Sequence, residues 1–158
     1  MKFKQGILLI FTHLSVGALG VALGIYMLPI LIAPTPPTQS EVTELSSQAQ
    51  YSATFKKDLK DSDTFHWGEG KLSIGSDYIT FSGNLAPGPD YKLYLSTEFV
   101  ETEVEFNRLK ANMALVGNVK TFENFVVKIP QDIDLSRYNT VIVWCETFGE
   151  FITSAQYQ

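Results

Sequence analysis

Two side chains beyond residue 50, Cys145 and His66, are of types that carry out redox or ligand chemistry. The protein has 158 residues, with one cysteine and two histidines. A cysteine thiolate can carry redox chemistry or ligate a metal or a haem iron, and an imidazole can act as a ligand or proton partner. A single cysteine excludes an intrachain disulfide, a CxxC pair and an all-cysteine metal site. The structural alternative is that Cys145 is a small core residue and that His66 packs beside Trp67 at a sheet edge.

The strand that would carry the thiol is apolar on both faces, which predicts a central position in a sheet. Residues 141–145 read VIVWC. A side-chain period of two places Cys145 on one face with the two valines and Trp144 on the other. Because the polar residue Glu146 follows, we expect the sulfur to point into the domain near its rim. Without a nearby cation its pKa should not be lowered, so a redox role requires His66 or a cofactor within a few ångströms.

The rest of this region also alternates between apolar and polar residues in short runs separated by Gly, Pro, Asn and Asp. The pattern predicts an all-β fold, an antiparallel sandwich or barrel of about eight short strands. Residues 98–112 fit either a strand or a short helix. The clearest strand signals cover residues 71–75, 78–82, 91–96, 125–129, 141–145 and 151–157.

The N-terminus is predicted to be a membrane anchor. Residues 6–33 form a run of 28 residues without Asp, Glu, Lys or Arg. At about 1.5 Å per residue a helix of this length exceeds the ~30 Å hydrocarbon core of a bilayer. A cleaved signal peptide is the alternative, although its apolar region usually runs only about 7–15 residues. Lys2 and Lys4 precede the run and the next basic residue is Lys56. This asymmetry predicts a single-pass cell-membrane protein with a cytoplasmic N-terminus and the C-terminal domain outside.

The predicted organisation is therefore an anchor at residues 1–33, a Pro-rich linker at 34–50 and a β domain at 51–158. The linker should be a stiff, polyproline-like spacer that holds the domain off the membrane. Residues 41–158 carry all 17 acidic residues and 10 of the 12 basic ones, which leaves a net charge of −7. Such a surface repels phosphate, so no nucleic acid partner is expected.

Metal-site and enzyme signatures are absent from the sequence. Asp58, Asp61 and Asp63 lack the glycine and distal glutamate of a calcium loop, which predicts a solvated acidic loop and no metal site. The motifs of hydrolases, zinc proteases and nucleotide-binding enzymes are missing too, so a classical enzyme is not expected.

Four sequence blocks, in this order, resemble the electron-transfer DM13 domain family. The resemblance covers about residues 51–157, and the combination of GPD with WC-x-x-F is its most specific part. The blocks are HWGEG at 66–70, GPDYKLYLS at 88–96, LVGN at 115–118 with Phe125 and Pro130 after it, and YNTVIVWCETF at 138–148.

The resemblance implies a β-sandwich module on a secreted or membrane-attached protein. It also implies a role in redox chemistry or electron transfer through the family's cysteine, which falls on Cys145, with a haem or a metal as the kind of cofactor. His66 matches the family's early histidine and is the candidate second ligand or proton partner. The sequence itself identifies neither the cofactor nor the redox partner.

Two functions follow from these observations. The first is a membrane-anchored, extracytoplasmic redox or electron-transfer module that uses Cys145. The second is a non-catalytic binding or adhesion module held off the membrane on a stalk, which the acidic domain and the missing catalytic groups favour. A thiol that reacts rapidly in the folded protein would favour the first function, and a buried, unreactive thiol the second.

Overall fold

A computed structural model describes residues 3–158. Lys2, one of the two lysines from which the membrane orientation is predicted, lies outside the described residues. Within these residues there are three α-helices, eight strands and two short 3-10 helices (Lys110–Asn112 and Leu135–Arg137). The helices are α1 (Phe3–Ile32), α2 (Gln39–Ser46) and α3 (Glu103–Leu109). The strands are β1 (Tyr51–Phe55), β2 (Gly68–Ile74), β3 (Tyr78–Leu85), β4 (Tyr91–Ser96), β5 (Ala114–Val119), β6 (Phe125–Lys128), β7 (Thr140–Cys145) and β8 (Glu150–Gln156).

The strands form two four-stranded antiparallel sheets, which confirms the predicted β-sandwich. One sheet has the order β1-β2-β3-β6 and the other β5-β4-β7-β8. The main core lies between them, where apolar side chains from both sheets meet. Its fully buried members include Phe55, Leu72, Ile74, Ile79, Phe81, Leu93, Leu95, Val141 and Val143.

The sheet that contains β7 is buried on its outer face as well. There the helix α3 covers the strands, and the Phe106 ring stacks on Trp144 with centroids 3.8 Å apart and planes 9° from parallel. This second core explains why residues 141–145 are apolar on both faces, as predicted for a central strand. The segment 98–112, which fitted either a strand or a helix, forms α3 because Thr102 caps its N-terminus and Phe106 and Leu109 supply a buried face.

Part of the expected linker is helical, which the sequence analysis did not predict. The helix α2 begins with a capping box, in which Thr38 Oγ1 accepts the Glu41 N–H at 3.3 Å and the Glu41 carboxylate accepts the Thr38 N–H at 2.7 Å. Val42 is buried against the domain, and Ser82 donates a hydrogen bond of 2.8 Å to Gln39. Residues 39–46 are therefore docked on the β-sandwich.

The helix α1 is long and apolar enough to cross a membrane, and most of its side chains are exposed. Only its last turns meet the sandwich. Pro29 is buried, and Tyr26 makes an edge contact with Phe65 at 6.4 Å between ring centroids. Downstream, Asn124 donates a hydrogen bond of 3.2 Å to the Pro37 carbonyl. The Pro-rich segment thus lies along the domain, whereas the sequence analysis expected a spacer that separates the domain from the helix.

Candidate functional site

Cys145 is the last residue of β7, where the strand reaches the rim of the sandwich. Tyr91 on β4 and Glu150 on β8 lie opposite it in the strand register. Its side chain belongs to the core between the sheets and is 2% exposed, whereas Trp144 belongs to the outer core. The period-two prediction for the position of the thiol is therefore confirmed.

A cavity of about 240 Å³ lies beside this thiol. Cys145 and His66, the two residues singled out from the sequence, both line it. Tyr91 and Phe148 supply aromatic wall, and residues on the last turns of α1 close one side. The wall is mostly apolar, and Glu150, whose carboxylate is hydrogen-bonded to the Glu103 carboxyl, is also part of it. The fold thus brings together two residues that are 79 positions apart in the chain.

The GPD turn positions Tyr91 in this wall. A side chain at Gly88 would place its Cβ 2.5 Å from Tyr91 Oη, so only glycine lets the tyrosine ring lie across the loop. The Tyr91 hydroxyl donates a hydrogen bond of 2.7 Å to the Ala86 carbonyl. Burial, followed by the neighbouring Cys145 and Tyr26, raises the pKa of Tyr91 far above its usual range, which keeps it a neutral donor.

His66 is held by Asp63 from the preceding loop. Its Nδ1 lies 3.0 Å from Asp63 Oδ1, and the same carboxylate accepts the backbone N–H groups of Phe65 and His66. Slight burial raises the pKa of Asp63, but these hydrogen bonds outweigh burial and lower the pKa below its ordinary value. The carboxylate therefore stays ionised. An ionised carboxylate only accepts, so Nδ1 carries the proton and Nε2 is the acceptor of the neutral ring. Asp63 thus supports His66 while more than half of its side chain is exposed, as expected for a solvated acidic loop.

The thiol of Cys145 is neutral in this environment. Burial raises its pKa above the ordinary value, an effect that backbone N–H groups of Phe148, Asp90 and Thr147 only partly offset. A low thiolate fraction disfavours nucleophilic chemistry such as disulfide exchange. The expectation that this thiol pKa is not lowered is confirmed.

The haem or metal that the sequence resemblance implied can be compared with the residues present. Within residues 3–158 no group of three or more His, Cys, Asp or Glu is placed to hold a metal, whereas protein metal sites usually need three or four ligands. A cavity of about 240 Å³ also lies below the ~300–1,000 Å³ of typical ligand sites, so a haem macrocycle does not fit while α1 forms a wall. The residues of the cavity therefore fit neither a haem nor a metal ion held by protein ligands alone.

Several lining residues were not predicted from the sequence. Tyr26 and Ile25 belong to the expected membrane helix, and Phe65 precedes the histidine block by one position. Their role as walls depends on how α1 packs against the sandwich, which no periodicity encodes. Phe148 carried a signal, since it ends the WC-x-x-F block.

Comparisons with known proteins agree with the resemblance drawn from the sequence blocks. The family model described as electron transfer DM13 matches residues 54–157, about two thirds of the chain. The matched segment contains seven complete strands of the sandwich and both Cys145 and His66. No curated protein and no solved structure matches the chain.

Proposed function

Because the chain belongs to the electron-transfer DM13 family, we propose that it is a membrane-anchored, extracytoplasmic electron-transfer module in which Cys145 is the redox-active group. The observation that carries this proposal is the cavity at the rim of β7, which Cys145 and His66 both line. It brings the buried thiol to an opening at the rim of the sandwich, with His66 in the same wall.

The raised thiol pKa determines the form that the redox step takes. Since a thiolate is disfavoured here, the sulfur loses an electron together with its proton. The S–H bond breaks, the proton passes to Nε2 of His66 and on to water, and the electron passes to an oxidised one-electron metal centre of a partner protein. The products are a neutral sulfur radical and a reduced acceptor, so one electron and one proton leave the site. Asp63 stabilises the imidazolium while it exists, through the hydrogen bond from Nδ1.

The anchor belongs to the same proposal. The helix α1 has the length and composition of a membrane span, and Lys4 stands at its N-terminal end while Lys56 is the next basic residue along the chain. The positive-inside rule then places residue 4 at the cytoplasmic surface and the β-sandwich outside.

The experiment is voltammetry on the full chain in lipid nanodiscs, compared with Cys145→Ser. We expect a one-electron wave in the native protein that Cys145→Ser lacks. Val143→Ala is the matched control, because it disturbs the same face of β7 one strand period away and keeps the thiol. The proposal fails if the native protein shows no wave, or if Cys145→Ser shows the same wave.

The alternative of a non-catalytic binding module is favoured by one observation, the near-complete burial of a neutral thiol. In that case Cys145 contributes packing alone. Cys145→Ser would then lower the free energy of unfolding, and the native protein would give no current in the same experiment.

A further inference from the structure

The depth of the cavity relative to a membrane follows from the length of α1. Thirty residues at about 1.5 Å each make a helix of about 45 Å, whereas the hydrocarbon core is only ~30 Å thick. If Lys4 lies at the cytoplasmic headgroups, about twenty residues cross the hydrocarbon, and the remaining turns lie among the outer headgroups. Ala22, Ile25 and Tyr26, which form one wall of the cavity, lie at that boundary.

Exposed aromatic side chains surround the cavity at the same level. Phe65 is 61% exposed, Phe148 is 52% exposed and Tyr26 is 43% exposed, and all three line the cavity. Tyrosine is enriched at the boundary between hydrocarbon and headgroups, and contiguous exposed apolar side chains such as the two phenylalanines mark surfaces that contact membranes or ligands. These rings therefore suit an opening that faces the outer leaflet rather than bulk water.

The interior of the cavity determines what kind of molecule fits it. Its wall is mostly apolar, which favours a neutral aromatic ring. Among its polar groups, Nε2 of His66 is the hydrogen-bond acceptor of the ring whose Nδ1 is bound to Asp63. The Tyr91 hydroxyl already donates to Ala86, and the Glu150 carboxylate is already hydrogen-bonded to the Glu103 carboxyl. A ligand that donates a hydrogen bond from a ring hydroxyl matches this acceptor.

We propose that this cavity binds the hydroxylated ring of a lipid-soluble molecule of the hydroquinone class, which enters from the outer leaflet beside α1. This inference rests on the proposed function, since it needs α1 in the membrane and the sandwich outside. It adds a small-molecule ligand to the site without assigning that molecule a reaction step.

The test is photolabelling of the full chain in phosphatidylcholine nanodiscs under reducing, anaerobic conditions. The probe is a fully ring-substituted hydroquinone with a ten-carbon chain that carries a diazirine. We expect labelled peptides to include residues 22–26, Phe65 or Phe148. The unlabelled hydroquinone should compete for this labelling, and decanol, which has the chain without the ring, should not.

Two variants on α1 distinguish probe binding in the cavity from general contact of the probe with lipid-facing residues. Ala22→Phe places a large side chain in the cavity wall and should reduce the competed labelling by about tenfold or more. Val21→Phe is the matched control at the same depth, because its position is absent from the cavity wall and exposed, and it should leave labelling within about twofold. Labelling that decanol competes equally well, or that is equal in Ala22→Phe and the native protein, would overturn the inference.

Cys145→Ser distinguishes this inference from the proposed electron transfer. Labelling needs no electron transfer, so it should persist in that variant. A Cys145-dependent wave without competed labelling would overturn the hydroquinone site and leave the electron-transfer proposal standing. Competed labelling without a wave would overturn the electron-transfer proposal and leave the hydroquinone site standing.

Discussion

Cys145 is a buried neutral thiol beside a small opening, and its reactivity should reflect both facts. In the native protein we expect its alkylation by a small neutral maleimide to be about tenfold or more slower than in urea, because burial restricts access. The rate should still be rising at pH 9.0, the ordinary pKa of the thiol, because burial raises that pKa. Mass spectrometry of quenched samples measures both effects. A folded-state rate that reaches a plateau below pH 9.0 would show an activated thiolate instead.

Gly88 is the residue on which the geometry of the cavity wall depends most directly. Gly88→Ala should lower the free energy of unfolding by about 1–3 kcal/mol, because its Cβ would overlap the Tyr91 ring. Gly75→Ala is the control, since its Cβ would come no closer than 3.4 Å to a neighbouring atom and should cost little. Urea unfolding of both variants measures the difference. Equal stabilities would show that the Tyr91 ring moves freely away from residue 88.

The residues that directly follow α3 and β7 form a polar cluster over the Phe106–Trp144 stack. Lys110 Nζ lies 2.8 Å from the Glu146 carboxylate, which also accepts a hydrogen bond from the Tyr94 hydroxyl. Burial alone would raise the pKa of Glu146, but these two partners lower it below the ordinary value. Its ionised form is therefore the one that the folded protein stabilises.

Removal of the Glu146 charge should lower the free energy of unfolding by an amount that depends on pH. Glu146→Gln should lower the free energy of unfolding by about 1 kcal/mol at pH 7. The lowered pKa gives stability that is present above the unfolded pKa of about 4.5 and is lost as the pH falls through the folded value. The difference between native and variant protein should therefore shrink in acid. Glu98→Gln is the control, because its pair with Arg108 is exposed and should contribute little. A difference that is constant from pH 7 to pH 3 would contradict this account.

The strands could be predicted from the sequence because alternation records which face is buried, and it placed Cys145 on the inner face correctly. The helix α2 could not, since only Val42 is buried along it and its periodicity is weak. Its capping signal, Thr38 with Glu41, was nevertheless present in the sequence. The two candidate residues could be named, but their common cavity depends on the register of β7 against β4 and on α1, which only the three-dimensional structure shows.

The whole molecule consists of an apolar helix and a β-sandwich, and the rim site of the sandwich is proposed to face the point where that helix leaves the bilayer. A protease added to intact cells should remove the sandwich and leave an α1-containing fragment in the membrane, because the domain is proposed to lie outside. Lysed cells serve as the control for susceptibility. Protection in intact cells and cleavage only after lysis would show that the orientation is the opposite one.

The most direct test of the central claim is the pH dependence of the Cys145-dependent potential in voltammetry of the full chain. Loss of one electron with one proton predicts a fall of about 59 mV per pH unit between about pH 6 and pH 8, where burial keeps the thiol protonated. His66→Gln should slow the electron transfer and leave the slope of the potential against pH unchanged, because the proton then leaves to water without passing through an imidazole. A potential that does not change with pH, or a wave that persists in Cys145→Ser, would contradict electron transfer coupled to the Cys145 proton.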